Sequence, residues 1–368
     1  MTPAKDILDK VGAKSVGRQY TLIPASTIEA KSVAWMWTDA GQGRLPAGSL
    51  SVAAGREGTG KSSFGLWLAA GITQGSLPGI HHGTPGGVIY LAAEDSWEHT
   101  LIPRLMVAKA DLGRVFRMDV IEGDDDLALS LPVDNELLED AIASEGVRLV
   151  IIDPLLSYIG EGIDTHKSRE VRKGLDPLVR IAQKTGAVIL GIAHFNKGSG
   201  SDPASLITGS GAFKDVPRSV FGFAKGSDES GNTRRVMSQV KNSLGLAELP
   251  SLNYDIASVE VDGLDGTYAR FTFTGESDVT VQDLIDDQPT GKERRQAQQG
   301  ARDWLEPYLR EQGPTPSADV IAAGEAQGHS KYLINKASTS LGVLKPRSGY
   351  QGGSTWELPE SNDAPPPF

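Results

Sequence analysis

The sequence predicts an α/β fold, a mainly parallel twisted sheet with helices between its strands and antiparallel strands added at one edge. Two observations predict it. Four apolar runs, at 49–55, 86–93, 147–152 and 186–193, alternate with helical stretches, the order that builds a parallel sheet. Each run is nearly continuous, as expected of strands buried on both faces, and each closes on residues of chemical use. The closing residues are G-R-E-G-T-G-K-S, then Glu94-Asp95, then Asp153, then His194. Functional groups in open α/β sheets collect outside the carboxyl ends of the strands, so four such ends imply a site.

The first run enters Gly55-Arg56-Glu57-Gly58-Thr59-Gly60-Lys61-Ser62-Ser63 and then an apolar helix to about Ile72. That is G-x-x-x-x-G-K-S between strand and helix, the context in which the pattern makes a phosphate-binding loop. Gly55, Gly58 and Gly60 let the backbone turn its N–H groups inward toward phosphate oxygens. Lys61 adds a point charge for the β/γ-phosphates, Ser62 offers a hydroxyl to Mg2+, and the helix presents its positive N-terminus. The third run, Val147-Arg148-Leu149-Val150-Ile151-Ile152-Asp153, has the form of a strand whose aspartate holds the same Mg2+ opposite Ser62.

Composition sets outer limits. The chain has 368 residues, room for two domains, and no cysteine, so disulfides and thiolate metal sites are excluded. No apolar run is long enough to span a membrane and the N-terminus lacks a secretory pattern, which reads as a cytoplasmic protein without a membrane partner. The formal net charge is −11, but ten acidic residues and no basic one fall between Asp119 and Glu145. The remainder is close to neutral, so the acidic stretch reads as a solvated face and a nucleic-acid partner stays open.

In chain order, residues 1 to 35 form an extension with a helix expected at Pro3 to Gly12. Trp35 and Trp37 either stack on a nucleotide base or pack the extension onto the core, and Gly41 to Gly48 reads as a polar approach to the first strand. A helix at about 97–112 and a short strand at 116–121 follow the second run. Helices are expected at 135–144 and 168–185, and a polar loop at 195–206. Strands at 219–224, 234–240, 251–259 and 268–274 read as the antiparallel edge.

Residues 276–298 are polar, without apolar period, and read as a linker. Beyond it come helices at 301–309, 317–327 and 331–341, then strands at 343–345 and 355–358 around a turn at Gly349 to Gly353. Three short helices and a glycine-tipped hairpin make a winged helix, whose Lys331, Lys336, Lys345 and Arg347 form a face for duplex DNA; a protein-contact role is the alternative. The expected organisation is an N-terminal extension (1–35), an ATPase domain (36–275), a linker (276–298), a winged-helix domain (299–360) and a disordered tail (361–368).

On these residues, Gly48 to about Thr274 resembles the RecA-type P-loop ATPase core of plasmid RepA-like hexameric replicative helicases. The motifs that carry the resemblance are Gly55 to Ser62, Tyr90-Leu91-Ala92-Ala93-Glu94-Asp95, Ile151-Ile152-Asp153-Pro154, the strand end at His194, and Gly209-Ser210-Gly211 leading to Arg218. The C-terminal winged helix departs from the minimal plasmid helicase and resembles the tail of RecA-like ATPases of phages and mobile elements. The resemblance implies ATP and Mg2+ as cofactors, with Glu94 polarising the attacking water and Asp95 as the alternative base. It implies His194 as γ-phosphate sensor, relaying to a DNA-binding loop at 196–207 that carries Lys197. It implies Arg218 and Lys241 as cations acting across a subunit interface.

The function so implied is an ATP-hydrolysing motor, a ring of six copies translocating on single-stranded DNA. Two alternatives accompany it. One is a recombinase or loader without unwinding, and the other is a nucleotide-switched regulator acting through the winged helix.

Overall fold

The computed structural model describes residues 20–123, 125–127, 129–160, 162–196, 202–227, 232–286, 291–329, 331–346 and 354–359. The expected helix at Pro3 to Gly12, Lys197, Arg347, the turn at Gly349 to Gly353 and the tail 361–368 lie outside these residues.

Residues 20–34 run exposed to a hairpin of β1 (Trp35–Asp39) and β2 (Gln42–Pro46). The expected polar approach is thus a strand. Its turn residues Ala40 and Gly41 both have positive φ, 47° and 77°, as a tight two-residue hairpin turn requires. Trp37 is 3% exposed and packs into the core, which decides the tryptophan question for packing. Trp35 lies against Gly43, where a Cβ would fall 2.0 Å from the ring.

Next come β3 (Leu50–Gly55), α1 (Lys61–Thr73) and β4 (Gly87–Ala92). The single helix expected at 97–112 is instead a π-helical turn, Trp97–Leu101, leading into α2 (Ile102–Ala108). Lys109 ends α2 in the left-handed region at φ 63°. The strand expected at 116–121 is two strands with different partners. β5 (Val115–Phe116) joins the central sheet, whereas β6 (Val120–Glu122) pairs with β7 (Asp125–Leu127).

The chain continues through α3 (Asn135–Ser144), β8 (Val147–Asp153), α4 (Ser168–Thr185), β9 (Val188–His194) and α5 (Ala212–Asp215). It then forms β10 (Ser219–Ser227), β11 (Thr233–Asn242), β12 (Ser251–Glu260), β13 (Thr267–Ser277) and α6 (Val281–Asp286). Within the interval expected as a linker, α6 buries Val281, Leu284 and Ile285 against the sheet. Its apolar residues number three in one and a half turns, too few to register as a period.

Nine of the described strands form one sheet in the order β13-β12-β11-β10-β3-β9-β8-β4-β5. Pairing is parallel from β10 to β5 and antiparallel from β10 through β13. The antiparallel edge therefore begins one strand later than the sequence suggests, because β10 aligns with β3.

Both faces are covered, which explains the continuous apolar runs. Leu50, Val52, Val150, Ile152 and Ile189 face α3, α4 and α6, and Ala53, Leu149, Ile151, Leu190 and Phe221 face α1 and α2. On the second face Phe64 sits amid Trp37, Trp67, Phe221, Phe223, Phe271 and Phe273, its ring centroid 5.2 Å from that of Phe223. Each such aromatic pair adds about 0.5–1.5 kcal/mol beyond its buried area, and the cluster fixes α1 on the sheet. In the acidic stretch, Asp119, Glu122, Glu136, Asp140 and Glu145 are exposed, as a solvated face requires.

Beyond residue 290, α7 (Gly291–Gln312), β14 (Thr315–Pro316), α8 (Ser317–Ala326), α9 (Lys331–Ser340) and β15 (Thr355–Trp356) enclose a separate apolar cluster. Ala301, Leu305, Leu309, Val320, Ile334 and Trp356 form it. β14 pairs with β15, and Leu344 bridges Glu357, so three helices carry a small antiparallel sheet.

Candidate active site

The phosphate loop forms because β3 stops at Gly55, where a Cβ would fall 2.4 Å from the Phe223 carbonyl oxygen of the neighbouring strand. Gly58 and Gly60 then turn at φ 66° and 90°. The Thr59 hydroxyl donates to the Arg56 carbonyl at 2.8 Å, and the Tyr254 hydroxyl donates to the Thr59 carbonyl. The loop is tied to β12 by that second bond. Gly60 caps α1 without any side-chain acceptor, so the first N–H groups of the helix face the loop with no capping side chain. This is the positive cradle an anion needs.

Lys61 is 5% exposed and its Nζ donates to the Arg56 carbonyl at 3.0 Å. Burial brings its ammonium down to about 8, with Asp153 and Glu57 pulling the other way. A buried cation with one neutral acceptor is underpaired, and a phosphate would complete its shell.

Lys61, Ser62, Glu94, Asp95, Asp153 and His194 line one cleft of about 100 Å³. Adjacent parallel strands bring them there: Gly55 registers with His194 across β3 and β9, and Ala92 with Asp153 across β4 and β8. Asp95 pairs with Arg104 at 3.5 Å, while the exposed Glu94 carboxylate has no hydrogen-bond or ion-pair partner among the described residues. Of the two neighbouring acids, Glu94 is the one whose carboxylate has no partner among the described residues. The His194 Nδ1 is buried without a partner among the described residues. Burial, then Lys61, holds its imidazole below the usual range, against the pull of Glu94.

Asp153 is held by a residue whose role is not visible in the sequence. The Tyr90 hydroxyl, on β4, donates to Asp153 Oδ2 at 2.8 Å. Burial, and then the Asp153 charge, keeps that phenol well above its ordinary range, so it stays a donor. The Ser62 hydroxyl and the Asp153 carboxylate are hard oxygen donors on one cleft. Among the described residues no cluster of three or more His, Asp or Glu could hold a metal unaided. Two protein oxygens completed by phosphate and water is the donor set that suits Mg2+.

Lys225 is a second residue missed. It stands at the carboxyl end of β10, and a Cβ on Gly58 would lie 3.4 Å from its Nζ. The rule that parallel strands end in useful residues applies to β10 too, but its apolar run ends at Ala224, one residue before Lys225.

Arg218 and Lys241 are not in the cleft. Ser219 registers with Ser51 and Phe223 with Gly55, so Arg218 sits at the opposite end of the sheet. Five residues of strand put roughly 16 Å between it and the loop. Its side chain is exposed and has no hydrogen bond or ion pair among the described residues. Lys241 lies beside it, across from Val220, and its Nζ donates to the carbonyls of Lys214 and Asp215 at 2.9 and 2.7 Å. It thus caps the end of α5. Burial is the main cause of its lowered pKa, opposed by Asp215.

After His194 the chain leaves through Phe195, bridged to Ile207, and Asn196 N–H donates to the Leu206 carbonyl at 2.7 Å. The loop expected to bind DNA is therefore pinched at its base directly beyond the histidine. At the C-terminal end, Lys331 and Lys336 are exposed on α9. Lys345 instead lies over the Trp356 ring at 4.1 Å, and burial lowers its pKa.

This fold and this cleft are similar to those of P-loop ATPases. Residues 29–200 match the family model of the AAA domain, a P-loop ATPase family whose members bind ATP with Mg2+. The matched interval spans β1 to β9 and includes Lys61, Ser62, Glu94, Asp153 and His194, but not Arg218 or Lys241. No curated protein matches the chain. Among the described residues no helix is long and apolar enough to cross a membrane.

Proposed function

We propose that the chain is an ATP-hydrolysing motor with a RecA-like core that works on single-stranded DNA as a ring, six copies in the helicase pattern it resembles. The observation that carries the hydrolytic part is the single cleft shared by Lys61, Ser62, Glu94, Asp153 and His194. The loop amides and Lys61 bind the β/γ-phosphates of ATP and stabilise charge as the bond to the γ-phosphoryl group breaks. Glu94 orients the attacking water and accepts its proton. Ser62 and Asp153 would hold Mg2+, which when bound would supply positive charge to offset the charge that develops on the phosphates. His194 Nδ1 donates to or accepts from the γ-phosphate end and passes the change to the loop that starts two residues later.

The ring reading is supported by the place of Arg218. The Arg218 backbone lies roughly 16 Å of strand from its own phosphate loop, so any part its exposed guanidinium takes in hydrolysis would be at a neighbour's nucleotide. Such a head-to-tail contact closes into rings when its rotation permits. Lys241 then acts mainly as the prop of α5, the element that precedes Arg218.

The C-terminal unit, α7 to β15, supports the winged-helix reading, with Lys331 and Lys336 on α9 as its exposed duplex contacts. It also keeps a second reading alive, a nucleotide-switched DNA-binding regulator. Steady-state ATP turnover with and without single-stranded DNA separates the two. The motor predicts stimulation of severalfold by single strands. Turnover indifferent to single strands, together with tight sequence-specific duplex binding, would replace it with the regulator.

A further inference from the structure

We propose that Tyr90 is a positioning residue for the divalent cation, acting through Asp153. The inference rests on the nucleotide-binding reading above. β4 is a run of Gly-Val-Ile-Tyr-Leu-Ala in which the Tyr90 hydroxyl is the one polar side-chain group, 1% exposed. A buried hydroxyl needs a partner, and this one has Asp153 Oδ2 at 2.8 Å. The register explains the reach: Tyr90 lies opposite Ile151, two residues before Asp153 on the adjacent strand, so both side chains leave the same face.

The choice of a phenol has a chemical consequence. A carboxylate has about four acceptor positions, and one neutral donor occupies one of them without cancelling the charge. Oδ1 stays available to the cation, in an orientation set by a buried side chain against whose ring Trp97 packs edge-on, with centroids 6.4 Å apart. An arginine or lysine in the same place would also orient Asp153, but it would compete with the metal. With the phenol gone, Asp153 is free to turn toward Lys61, whose charge it already feels. A Lys61–Asp153 pair would disable both the phosphate ligand and the metal ligand at once.

The test uses the full chain, wild type and Tyr90→Phe, which keeps the ring and removes only the donor. Mn2+ binding in the presence of saturating ADP is followed by loss of the free-ion electron paramagnetic resonance signal. The expected result is a Kd for Mn2+ weaker by about 10- to 100-fold. Binding of a fluorescent ADP analogue in EDTA should change less than about twofold, since the phosphate loop is untouched. The same titration on Asp153→Asn and on Asp153→Asn/Tyr90→Phe distinguishes positioning from packing. If Tyr90 works through Asp153, its removal adds nothing once Asp153→Asn is in place. An unchanged Kd for Mn2+ in Tyr90→Phe, or a full further loss in the double variant, would overturn the assignment. Failure of the wild type to bind the ADP analogue would overturn the nucleotide reading itself, whereas wild type that binds the analogue but no Mn2+ would overturn this assignment alone.

Discussion

Arg218→Ala should lower ATP turnover by about 10³-fold or more, the scale on which a trans-acting arginine contributes to phosphoryl transfer. The fold should survive it. The residue is bound to the sheet through its main chain, with its N–H donating to the Leu50 carbonyl and its carbonyl accepting from Ser243, while the side chain is exposed. Nucleotide affinity should change far less than turnover, because the cation acts on charge that develops in the transition state. Mixing gives the sharper result. Lys61→Ala has an intact Arg218 and Arg218→Ala has an intact phosphate loop, so in the proposed ring a mixed assembly would contain complete sites although neither parent would. For random mixing of equal amounts, about a quarter of the head-to-tail interfaces are complete. Turnover that recovers on mixing establishes the trans role, and turnover that stays at the level of the parents refutes it.

Glu94→Gln should lower turnover by about 10²- to 10⁴-fold, the usual contribution of a positioned general base. The amide is nearly isosteric but cannot take the proton from water. Nucleotide binding should persist, since Glu94 lies beyond β4 and makes no hydrogen bond to the phosphate loop among the described residues. Asp95→Asn is the comparison. Asp95 is already engaged by Arg104, so its loss should reduce turnover much less than the loss of Glu94. Equal effects would mean that the two acids share the role.

The phosphate loop, the carboxylate at the end of β8 and the alternation of strand and helix were legible because each depends on local sequence. Glycine at Gly58 and Gly60 reports a positive φ that few other residues adopt, and a continuous apolar run reports burial on both faces. What the sequence hid depends on register between strands distant in the chain. Tyr90 reads as one more apolar residue of β4 until β8 is set beside it with Asp153 two places on. The direction of β10 is equally hidden: only its alignment with β3 sends Arg218 to the far end of the sheet and Lys225 to the loop. The β1–β2 hairpin escaped because its turn is Ala40-Gly41, and alanine at φ 47° is an uncommon choice for a tight turn. Helix α6 escaped because a helix of six residues offers too few positions for a period of 3.6 to show.

In the proposed function one cleft, built on the loop from Gly55 to Ser62, hydrolyses ATP. The most direct measurement is phosphate release from Mg2+·ATP by the wild-type chain and by Lys61→Ala at matched concentration. The prediction is turnover for the wild type and background for the variant, with nucleotide affinity reduced as well, because Lys61 is the buried cation at the phosphate loop and its Nζ is held by a single neutral carbonyl. Wild-type protein that releases no phosphate with or without single-stranded DNA, or a Lys61→Ala variant that keeps wild-type turnover, would contradict it.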